Sequence, residues 1–322
     1  MLNPQLKQGA NEISQKRDVR HRQMKLHEIG EDRLLDRLLS RLSVGKAVAM
    51  GPGDDCAIVK IRERQNFLVL KTDCVVAGVH FLATANAVDV GWKAMMRPLS
   101  DFAAKSAVPQ FALITLIAPQ QTTVEWVEEL YRGVHRAAKR FKVSIVGGET
   151  SSTSGPVAIS VSAVGFVEKD RCVSRGGGKV GDDLFVTGRL GGAMKRKHLQ
   201  FVPRIAESRW LTKNFSIHAM MDMSDGLGAD LQRLAKASRV GFTVETKNLP
   251  LTHGAKVDDA ISEGEDYELL FAISPRERTR LQLEWRKKFR KLPLSRIGSL
   301  SELSTFNSQR LPRGYVHFQQ SV

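Results

Sequence analysis

The sequence predicts two domains that each combine helices with strands. Its 322 residues are enough for two domains of ordinary size. Helical and strand-like apolar patterns alternate over residues 26–168, and a second set of such patterns begins at Asp183. The glycine run at 176–178 lies between the two sets and indicates a boundary or a loop. We therefore expect a first domain at 26–168 and a second domain at 169–322.

Three helices are predicted in the first domain from the spacing of its apolar residues. A leucine stripe indicates a short amphipathic helix over 31–42. A segment over 88–107 has a helical pattern, although Pro98 should break or bend it. The threonine pair at 122–123 can cap a third helix that ends at Phe141. Apolar β-type runs predict strands at 57–61, 67–70, 111–117, 143–146 and 157–167.

The second domain shows fewer clear elements. A helix should follow the Asp225-Gly226 pair, since Leu231 and Leu234 continue an apolar pattern after it. From Pro275 onward we expect a basic helix and then a polar coil. Apolar runs predict strands at 183–186, 241–245 and 267–273.

The composition excludes several classes of protein. A hydrophobic content of 42% and a charged content of 26% are ordinary for a soluble globular chain. The longest apolar stretch, 111–118, is too short to span a bilayer, and no signal peptide is evident. The three cysteines show no CxxC spacing, so neither a disulfide framework nor a zinc site is expected. These observations favour a cytoplasmic protein without a membrane partner.

The net charge of +15 is concentrated at the two ends of the chain. Residues 1–27 carry +4 and residues 276–313 carry +8, whereas the middle is near balance. A basic end is more often a solvated surface than a binding site, so a nucleic acid partner is not expected. Residues 1–25 are polar without an apolar period, and we predict a flexible basic arm there.

Short acidic motifs are the most informative feature of the sequence. Carboxylates beside Gly, Ser and Thr supply the hard oxygen ligands that Mg²⁺ prefers, and several such ions could clamp a polyphosphate. The motifs therefore predict an enzyme that transfers a phosphoryl group with the help of several Mg²⁺ ions. They are Gly53-Asp54-Asp55, Thr72-Asp73, Ser100-Asp101, Gly147-Gly148-Glu149-Thr150, Asp222-Met223-Ser224-Asp225-Gly226 and Glu263-Gly264-Glu265-Asp266.

Each motif also has a structural interpretation. Asp, Gly and Ser are common in turns and at strand ends. The motifs at Asp55, Thr72 and Glu265 could therefore be ordinary turns or strand ends. Asp101 lies among apolar residues, where an unpaired carboxylate is costly to bury; it either caps a helix after Pro98 or binds a cation.

The glycine motif and three polar residues also leave two interpretations open. Gly147-Gly148 forms a simple turn, or it lets backbone amides approach phosphate closely. The acids at 222 and 225 serve as a helix cap, or they bind a cation at a helix N-terminus. His80 and Arg175 contact phosphate, or they are a structural histidine and a solvated arginine.

Taken in order, these motifs resemble the thiamine-monophosphate kinase family, which belongs to the superfamily of aminoimidazole ribonucleotide synthetase. The resemblance runs from Leu26 to Phe318. It is carried by the segments GPGDDCAIV, KTDCVVAGVHF, LSDFAAKSAVP, IVGGETS, CVSRGGGKVGDDLFVTGRLGGA, MDMSDGLGADL, EGEDYELLF and GYVHF.

The resemblance implies a fold, an activity and an assembly. The fold is α+β, with two mixed-sheet domains and a homodimer paired through the N-terminal domains. The activity is ATP-dependent phosphorylation of thiamine monophosphate to thiamine diphosphate, with several Mg²⁺ ions. Two alternatives are another ATP-using enzyme of the superfamily, and an inactive homologue that binds a nucleotide or nucleic acid.

The resemblance also implies three sets of site residues. The metal ligands are Asp55, Thr72, Asp73, Asp101, Glu149, Asp222 and Asp225. The ATP contacts are Tyr131, Gly148, Glu149, Arg175 and Ser224. The contacts to thiamine monophosphate are His80, Glu265 and Tyr315.

This chain departs from the family pattern at four positions. Lys71 stands where the family has Ser before Thr-Asp, and Glu149 stands where it has Asp. Pro98 replaces an Asn, and Glu263 replaces a Gly. The number of carboxylates is kept, so we expect the activity to be kept. No general base is required, because the acceptor phosphate has a second pKa of about 6 and is mostly dianionic near neutrality. We therefore expect direct in-line transfer, with Mg²⁺ and basic groups offsetting the repulsion between two phosphates.

Overall fold

Helices and strands alternate through the part of the chain that the structure, a computed structural model, describes. Most of the predicted arm at 1–25 lies outside the described residues, as does Tyr315. The described residues before 43 belong to one compact unit and those from 44 onward to another. The domain boundary predicted near residue 168 stays a prediction. The described residues are 25–39, 41–42, 44–61 and 65–303.

Nine α-helices lie within the described residues, and the first two belong to the unit before residue 43. The helix predicted over 31–42 is confirmed but ends at Leu39, and the cap on the third predicted helix is Thr123. None of the described helices is both long enough and apolar enough to cross a bilayer. The helices are α1 (Leu26–Ile29), α2 (Glu31–Leu39), α3 (Ala87–Ala104), α4 (Val124–Phe141), α5 (Ala193–Arg196), α6 (Ile205–Asn214), α7 (Leu227–Ser238), α8 (Val257–Ser262) and α9 (Arg278–Lys288).

Eleven strands, all in the unit from 44 onward, form two sheets, which confirms the α+β class. Every strand predicted from the apolar runs is present. The strands are β1 (Val48–Met50), β2 (Ala57–Lys60), β3 (Asn66–Val76), β4 (Val108–Ala118), β5 (Ser144–Ser152), β6 (Ala158–Glu168), β7 (Asp183–Thr187), β8 (Ile217–Asp222), β9 (Gly241–Val244), β10 (Leu269–Ile273) and β11 (Leu294–Ser301).

The first sheet has the order β1-β2-β3-β6-β4-β5, in which only β4 and β5 run parallel. Alternate residues of its long strands are buried, as expected for a sheet with one covered face. Helices α3 and α4 cover that inner face, where Met95 and Leu130 pack against Ile114 and Val161 in one apolar cluster. The site residues of β3 are therefore divided between two faces with different surroundings.

The second sheet is antiparallel throughout, in the order β8-β10-β7-β11-β9. Strands β7 and β10 are buried along their whole length, since apolar clusters cover both faces. The edge strand β8 contacts α3, so one helix joins the two sheets. This contact brings Asp222, at the end of β8, close to residues of the first sheet.

Helix α3 is continuous through Pro98, so the break that the sequence allowed is wrong, whereas the alternative of a bend stays a prediction. The residues on both sides of the proline, Met96 and Leu99, are fully buried. Tertiary packing therefore holds a helix that local propensity opposes. Because the helix continues, Asp101 lies in its last turn, and the alternative in which Asp101 caps a helix after Pro98 is also wrong.

Three other expectations need correction. Thr72 and Asp73 do not end a strand, because β3 continues to Val76 by pairing with β6. The glycine motif does not follow a strand but lies inside β5, which pairs with β4 from Ser144 to Ser152. The polar coil expected after the basic helix contains β11, where pairing with β7 and β9 on both sides overrides a weak apolar pattern.

Two glycines allow α3 and α4 to pack with their backbones in close approach. A Cβ on Gly91 would lie 1.9 Å from the carbonyl oxygen of Leu130, and a Cβ on Gly133 would lie 1.9 Å from that of Val88. Neither backbone can move alone, since each helix is fixed on the sheet. The small residue is therefore required by packing at both positions.

We predict that Gly91→Ala lowers the free energy of unfolding by about 1–3 kcal/mol, because the added methyl overpacks the helix contact. In a helix, alanine is more favourable than glycine by about 1 kcal/mol. A loss of stability in Gly91→Ala would therefore identify the steric clash as its cause. Urea unfolding followed by circular dichroism measures the change. The control is Gly45→Ala, since a Cβ there meets no atom within 4 Å. Equal stability of wild type and Gly91→Ala would contradict the prediction.

Candidate active site

Three aspartates that are distant in sequence form a buried acidic triad. Asp55 lies in the turn before β2, Asp101 lies in the last turn of α3, and Asp222 ends β8. One carboxylate oxygen from each lies within 4.8 Å of the others. Each of the three residues is at most 9% exposed. We call Asp55, Asp101 and Asp222 the acidic triad.

The triad is electrostatically suited to bind a cation. Burial raises the pKa of Asp222 to about 6, and the charge of Asp55 adds to the effect. Burial also raises the pKa of Asp101 well above its usual range; Lys71 opposes the rise, and Asp222 and Asp73 add to it. A divalent cation would relieve this repulsion, and carboxylate oxygens are the ligands that Mg²⁺ prefers. The residues present therefore fit a hard metal ion.

Asp55 differs from the other two because two basic side chains hold it. Lys105 Nζ lies 2.9 Å from Asp55 Oδ2 and also contacts Asp54. The Arg175 guanidinium pairs with the other oxygen of Asp55. Burial raises the pKa of Asp55, but Lys105 and Arg175 outweigh it and bring the value to about 2. Arg175, predicted to contact ATP, thus lies at the edge of the triad.

Lys71 places an ammonium group beside the triad. Its Nζ lies 2.9 Å from Asp101 Oδ1 and 3.7 Å from Asp73 Oδ2. Burial lowers the pKa of Lys71, but Asp101 and Asp73 raise it by more, so the side chain stays charged. The structure therefore brings Asp73 to the triad through a shared lysine.

The side chain of Thr72 does not reach the triad. Residues of a strand alternate between faces, and Thr72 points away from Lys71 and Asp73. Its Oγ1 lies 3.0 Å from Ser162 Oγ and 3.4 Å from Ser160 Oγ, on the outer face of the first sheet. Only the backbone of Thr72 remains near the acidic residues.

Asp225 and Ser224 lie in the turn between β8 and α7. The carboxylate of Asp225 pairs with Arg233, and its N–H donates to Asp230 Oδ2 at 3.0 Å. Burial raises the pKa of Asp230 to about 8, and the charge of Asp225 adds to the rise. The carbonyl oxygen of Ser224 accepts a hydrogen bond from the N–H of Glu265 at 2.7 Å. This turn therefore joins the end of β8 to the loop of Glu265.

The structure does not bring Glu149, Gly148 and Tyr131 to the triad. Glu149 is exposed on β5, and its Oε1 accepts a hydrogen bond from the N–H of Thr150 at 3.1 Å. A Cβ on Gly148 would lie 1.8 Å from the carbonyl oxygen of Ile114, so strand packing alone requires this glycine. Tyr131 is half-buried on α4 beside the core of the first sheet.

A second polar cluster joins two of the predicted substrate contacts. Lys93 Nζ donates to the carbonyl oxygen of His80 at 2.6 Å and pairs with Glu265. His198 Nδ1 lies 3.2 Å from Glu265 Oε2. Burial raises the pKa of Glu265, but His198 and Lys93 outweigh it and lower the value. We call His80, Lys93, His198 and Glu265 the lysine cluster.

The sequence reasoning missed several residues of both clusters, namely Lys93, Lys105 and His198. The two lysines are fully buried although each is a cation within an apolar helical segment. Burying a charge in such a segment is costly unless the charge is paired. A lysine in an apolar helical pattern was therefore the sequence feature that could have indicated a buried ion pair. His198 carries no comparable signal, because its role depends on the approach of α5 to the loop of Glu265.

Two models of protein-family domains match this chain. The model of the N-terminal domain of AIR synthase related proteins matches residues 53–167. The model of the C-terminal domain of the same proteins matches residues 174–304. The two matches include the whole acidic triad and both sheets, apart from β1 and the last residue of β6.

Curated relatives are similar over most of the chain. The thiamine-monophosphate kinase of Rhodopirellula baltica is 35% identical over 301 residues, which cover 85% of this chain and 93% of the relative. The thiamine-monophosphate kinase of Aquifex aeolicus is 33% identical, over 92% of this chain and 100% of the relative.

Solved structures show the same relationship. AaThiL complexed with AMPPCP and TMP has a TM-score of 0.78 and 31% identity, over 92% of this chain and 99% of that chain. The hydrogenase maturation protein HypE in complex with ATP has a TM-score of 0.61 at 17% identity, over 83% of this chain and 86% of that chain, and shares the fold alone. The chain therefore belongs to the thiamine-monophosphate kinase family of AIR synthase related proteins, whose members phosphorylate thiamine monophosphate to thiamine diphosphate with ATP.

Proposed function

We propose that this chain transfers the γ-phosphoryl group of ATP directly to thiamine monophosphate at the acidic triad, with Mg²⁺ ions bound there. The observation that carries the proposal is the convergence of Asp55, Asp101 and Asp222 within 4.8 Å at a buried position. Their repulsion favours binding of a divalent cation, and their motifs are those that match the family. The relative bound to AMPPCP and TMP supports the two substrates.

The residues in and around the triad have different proposed roles in the phosphoryl transfer. When bound, Mg²⁺ would neutralise phosphate oxygens and align the two substrates for in-line transfer. Asp55, Asp101 and Asp222 would hold the metal, with Asp73 and Asp225 at its edge. Thr72 would serve through its backbone carbonyl. Glu149 would become a metal ligand only if β5 moved toward the triad, or if the bound nucleotide lay close to Glu149.

The two substrates are assigned to two different sets of residues. We assign Arg175, Ser224, Gly148 and Tyr131 to ATP, as the family resemblance implies. The lysine cluster is assigned to thiamine monophosphate, since His80 and Glu265 meet there through Lys93. No side chain is assigned as a general base, because the acceptor phosphate is already mostly deprotonated near neutrality.

The direct test is product formation from purified protein, ATP, Mg²⁺ and thiamine monophosphate, measured by chromatography of thiamine diphosphate. We expect the wild type to form product and Asp222→Asn to lose at least about 100-fold in rate, as when one preorganised electrostatic group is removed. The control is Asp258→Asn, an exposed aspartate on α8, which should retain the wild-type rate. Binding of AMPPCP without any product would instead support an inactive nucleotide-binding homologue.

Metal dependence gives an independent prediction. Thermal unfolding in AMPPCP should shift to higher temperature only when Mg²⁺ is present, because a ligand that binds the folded state stabilises it by mass action. EDTA should remove the shift, and excess Mg²⁺ should restore it. An equal shift by AMPPCP in EDTA would show that the nucleotide binds without the metal.

We further propose a homodimer that pairs the outer faces of the first sheets. Helices α3 and α4 cover the inner face only, and apolar side chains remain exposed on the strands at the other face. Phe111, Leu113 and Ile117 of β4 and Val146 of β5 are between 36% and 59% exposed. Exposed apolar groups on neighbouring strands are typical of an interaction surface.

We predict that Leu113→Asp converts the dimer to a monomer, because it places a charge in the centre of an apolar interface. Sedimentation equilibrium measures the mass of the assembly. Leu283→Asp is the matched control, since Leu283 is 55% exposed on α9, away from the first sheet. A wild-type protein that sediments as a monomer at micromolar concentration would contradict the proposal.

We also propose a cytoplasmic location. All three cysteines lie in the described residues, and Cys56, Cys74 and Cys172 are free thiols. Free thiols without a disulfide are usual in a reducing compartment. Fractionation of cells with an antibody against the native protein would test this location.

A further inference from the structure

Lys71 places its ammonium group between two acidic residues, Asp101 and Asp73. Its Nζ lies 2.9 Å from Asp101 Oδ1 and 3.7 Å from Asp73 Oδ2, so one ammonium joins a triad aspartate to its neighbour. Asp101 and Asp73 have no other ion pair within the described residues. Lys71 is therefore the ion-pair partner that these two carboxylates share, and the charge of Arg97 also acts on both of them.

The backbone of β3 fixes the direction of Lys71. Lys71 and Asp73 point to the same face of the strand, and they lie opposite the buried Ala163 and Val161 of β6. That face is covered by α3, which carries Asp101 in its last turn. The lysine stem thus runs under the helix, and the ammonium reaches Asp101 without leaving an ordinary strand position.

Lys71 differs from the other lysine of the site, Lys105. The side chain of Lys105 is 0% exposed and donates a third contact, 3.2 Å long, to the carbonyl oxygen of Val173. The side chain of Lys71 is 22% exposed and contacts carboxylates only. The Lys71 side chain is therefore partly open to solvent, whereas the Lys105 side chain is closed off from it.

An ammonium and a divalent cation cannot share this place. Both are attracted by the same carboxylate oxygens, and they repel each other at contact distance. Because the ammonium is covalently attached to the chain, it competes with free divalent cations for the carboxylates at a high effective concentration. Mg²⁺ must also lose part of its hydration shell each time it binds. The Lys71 ammonium loses its own hydration only once, when the chain folds.

We propose that the Lys71 ammonium is a built-in cation that replaces one divalent metal ion between Asp73 and Asp101. The inference rests on the proposed function only in that the triad binds divalent cations. It predicts that this chain holds one metal ion fewer than the same chain with a small neutral residue at position 71. Serine is the appropriate residue, since it removes the charge and opens the space.

The test counts bound metal rather than activity. Wild type, Lys71→Ser, Lys71→Gln and Lys71→Arg are dialysed to equilibrium against Mn²⁺ with AMPPCP on both sides of the membrane, and Mn²⁺ per chain is measured by mass spectrometry. We expect Lys71→Ser to bind about one Mn²⁺ more than wild type, and Lys71→Arg to bind the wild-type number. Lys60→Ser is the control, because Lys60 is exposed on β2 of the same sheet.

Stability supplies a second readout in case the serine variant folds poorly. Without metal, Lys71→Ser should unfold at a lower temperature than wild type, since it leaves two carboxylates unpaired. Mn²⁺ should remove that difference, and it should leave the difference for Lys60→Ser unchanged. A serine variant that folds only in Mn²⁺ would also support the proposal.

Several outcomes would overturn the inference. One is an equal number of bound Mn²⁺ ions in wild type and in the soluble Ser and Gln variants. Another is a lower number in those variants, which would make Lys71 a support for the metal rather than its replacement. Absence of bound Mn²⁺ from every variant overturns the metal part of the proposed function as well, whereas product formation by the wild type tests that function separately.

Discussion

Repulsion among buried carboxylates is the constraint on which the rest of this structure depends. At an effective dielectric constant of about 20, two carboxylates 4.8 Å apart repel each other by about 3 kcal/mol if both are ionised. Three such pairs approach the whole stability of a typical domain, which is about 5–15 kcal/mol. Asp55, Asp101 and Asp222 can therefore stay together only because the fold fixes their backbones and because cations or protons reduce their charge.

The fold fixes them through one helix. Helix α3 is buried against the first sheet, packs on α4 through Gly91, and contacts β8 of the second sheet. Asp101 in its last turn is thus held against Asp55 on one side and Asp222 on the other. The continuity of α3 through Pro98 matters for the site, because a break there would release the turn that carries Asp101.

The α+β class, most strands and the acidic motifs of the triad were predictable from the sequence, because apolar period and acid-rich turns are local features. The face of the strand to which a side chain points was not predictable from the sequence. Thr72 and Asp73 are adjacent in sequence, yet pairing of β3 with β6 sends only Asp73 toward the triad. The burial of Lys93 and Lys105 likewise depends on partners that are distant in sequence, Glu265 and Asp54. Packing also explains the glycine at 148, which a phosphate-binding interpretation did not anticipate.

The basic partners also determine where a metal ion is needed most. Lys105 and Arg175 compensate Asp55, and Lys71 compensates Asp101. Asp222 makes no ion pair with any described residue, although it is only 5% exposed and its pKa is raised to about 6. Asp222 is therefore the member of the triad without an ion-pair partner among the described residues, although the charge of Lys71 lowers its pKa, and a divalent cation would supply that partner. Since Asp222 ends the edge strand of the second sheet, a cation bound there would also hold the second sheet against the first at the acidic triad.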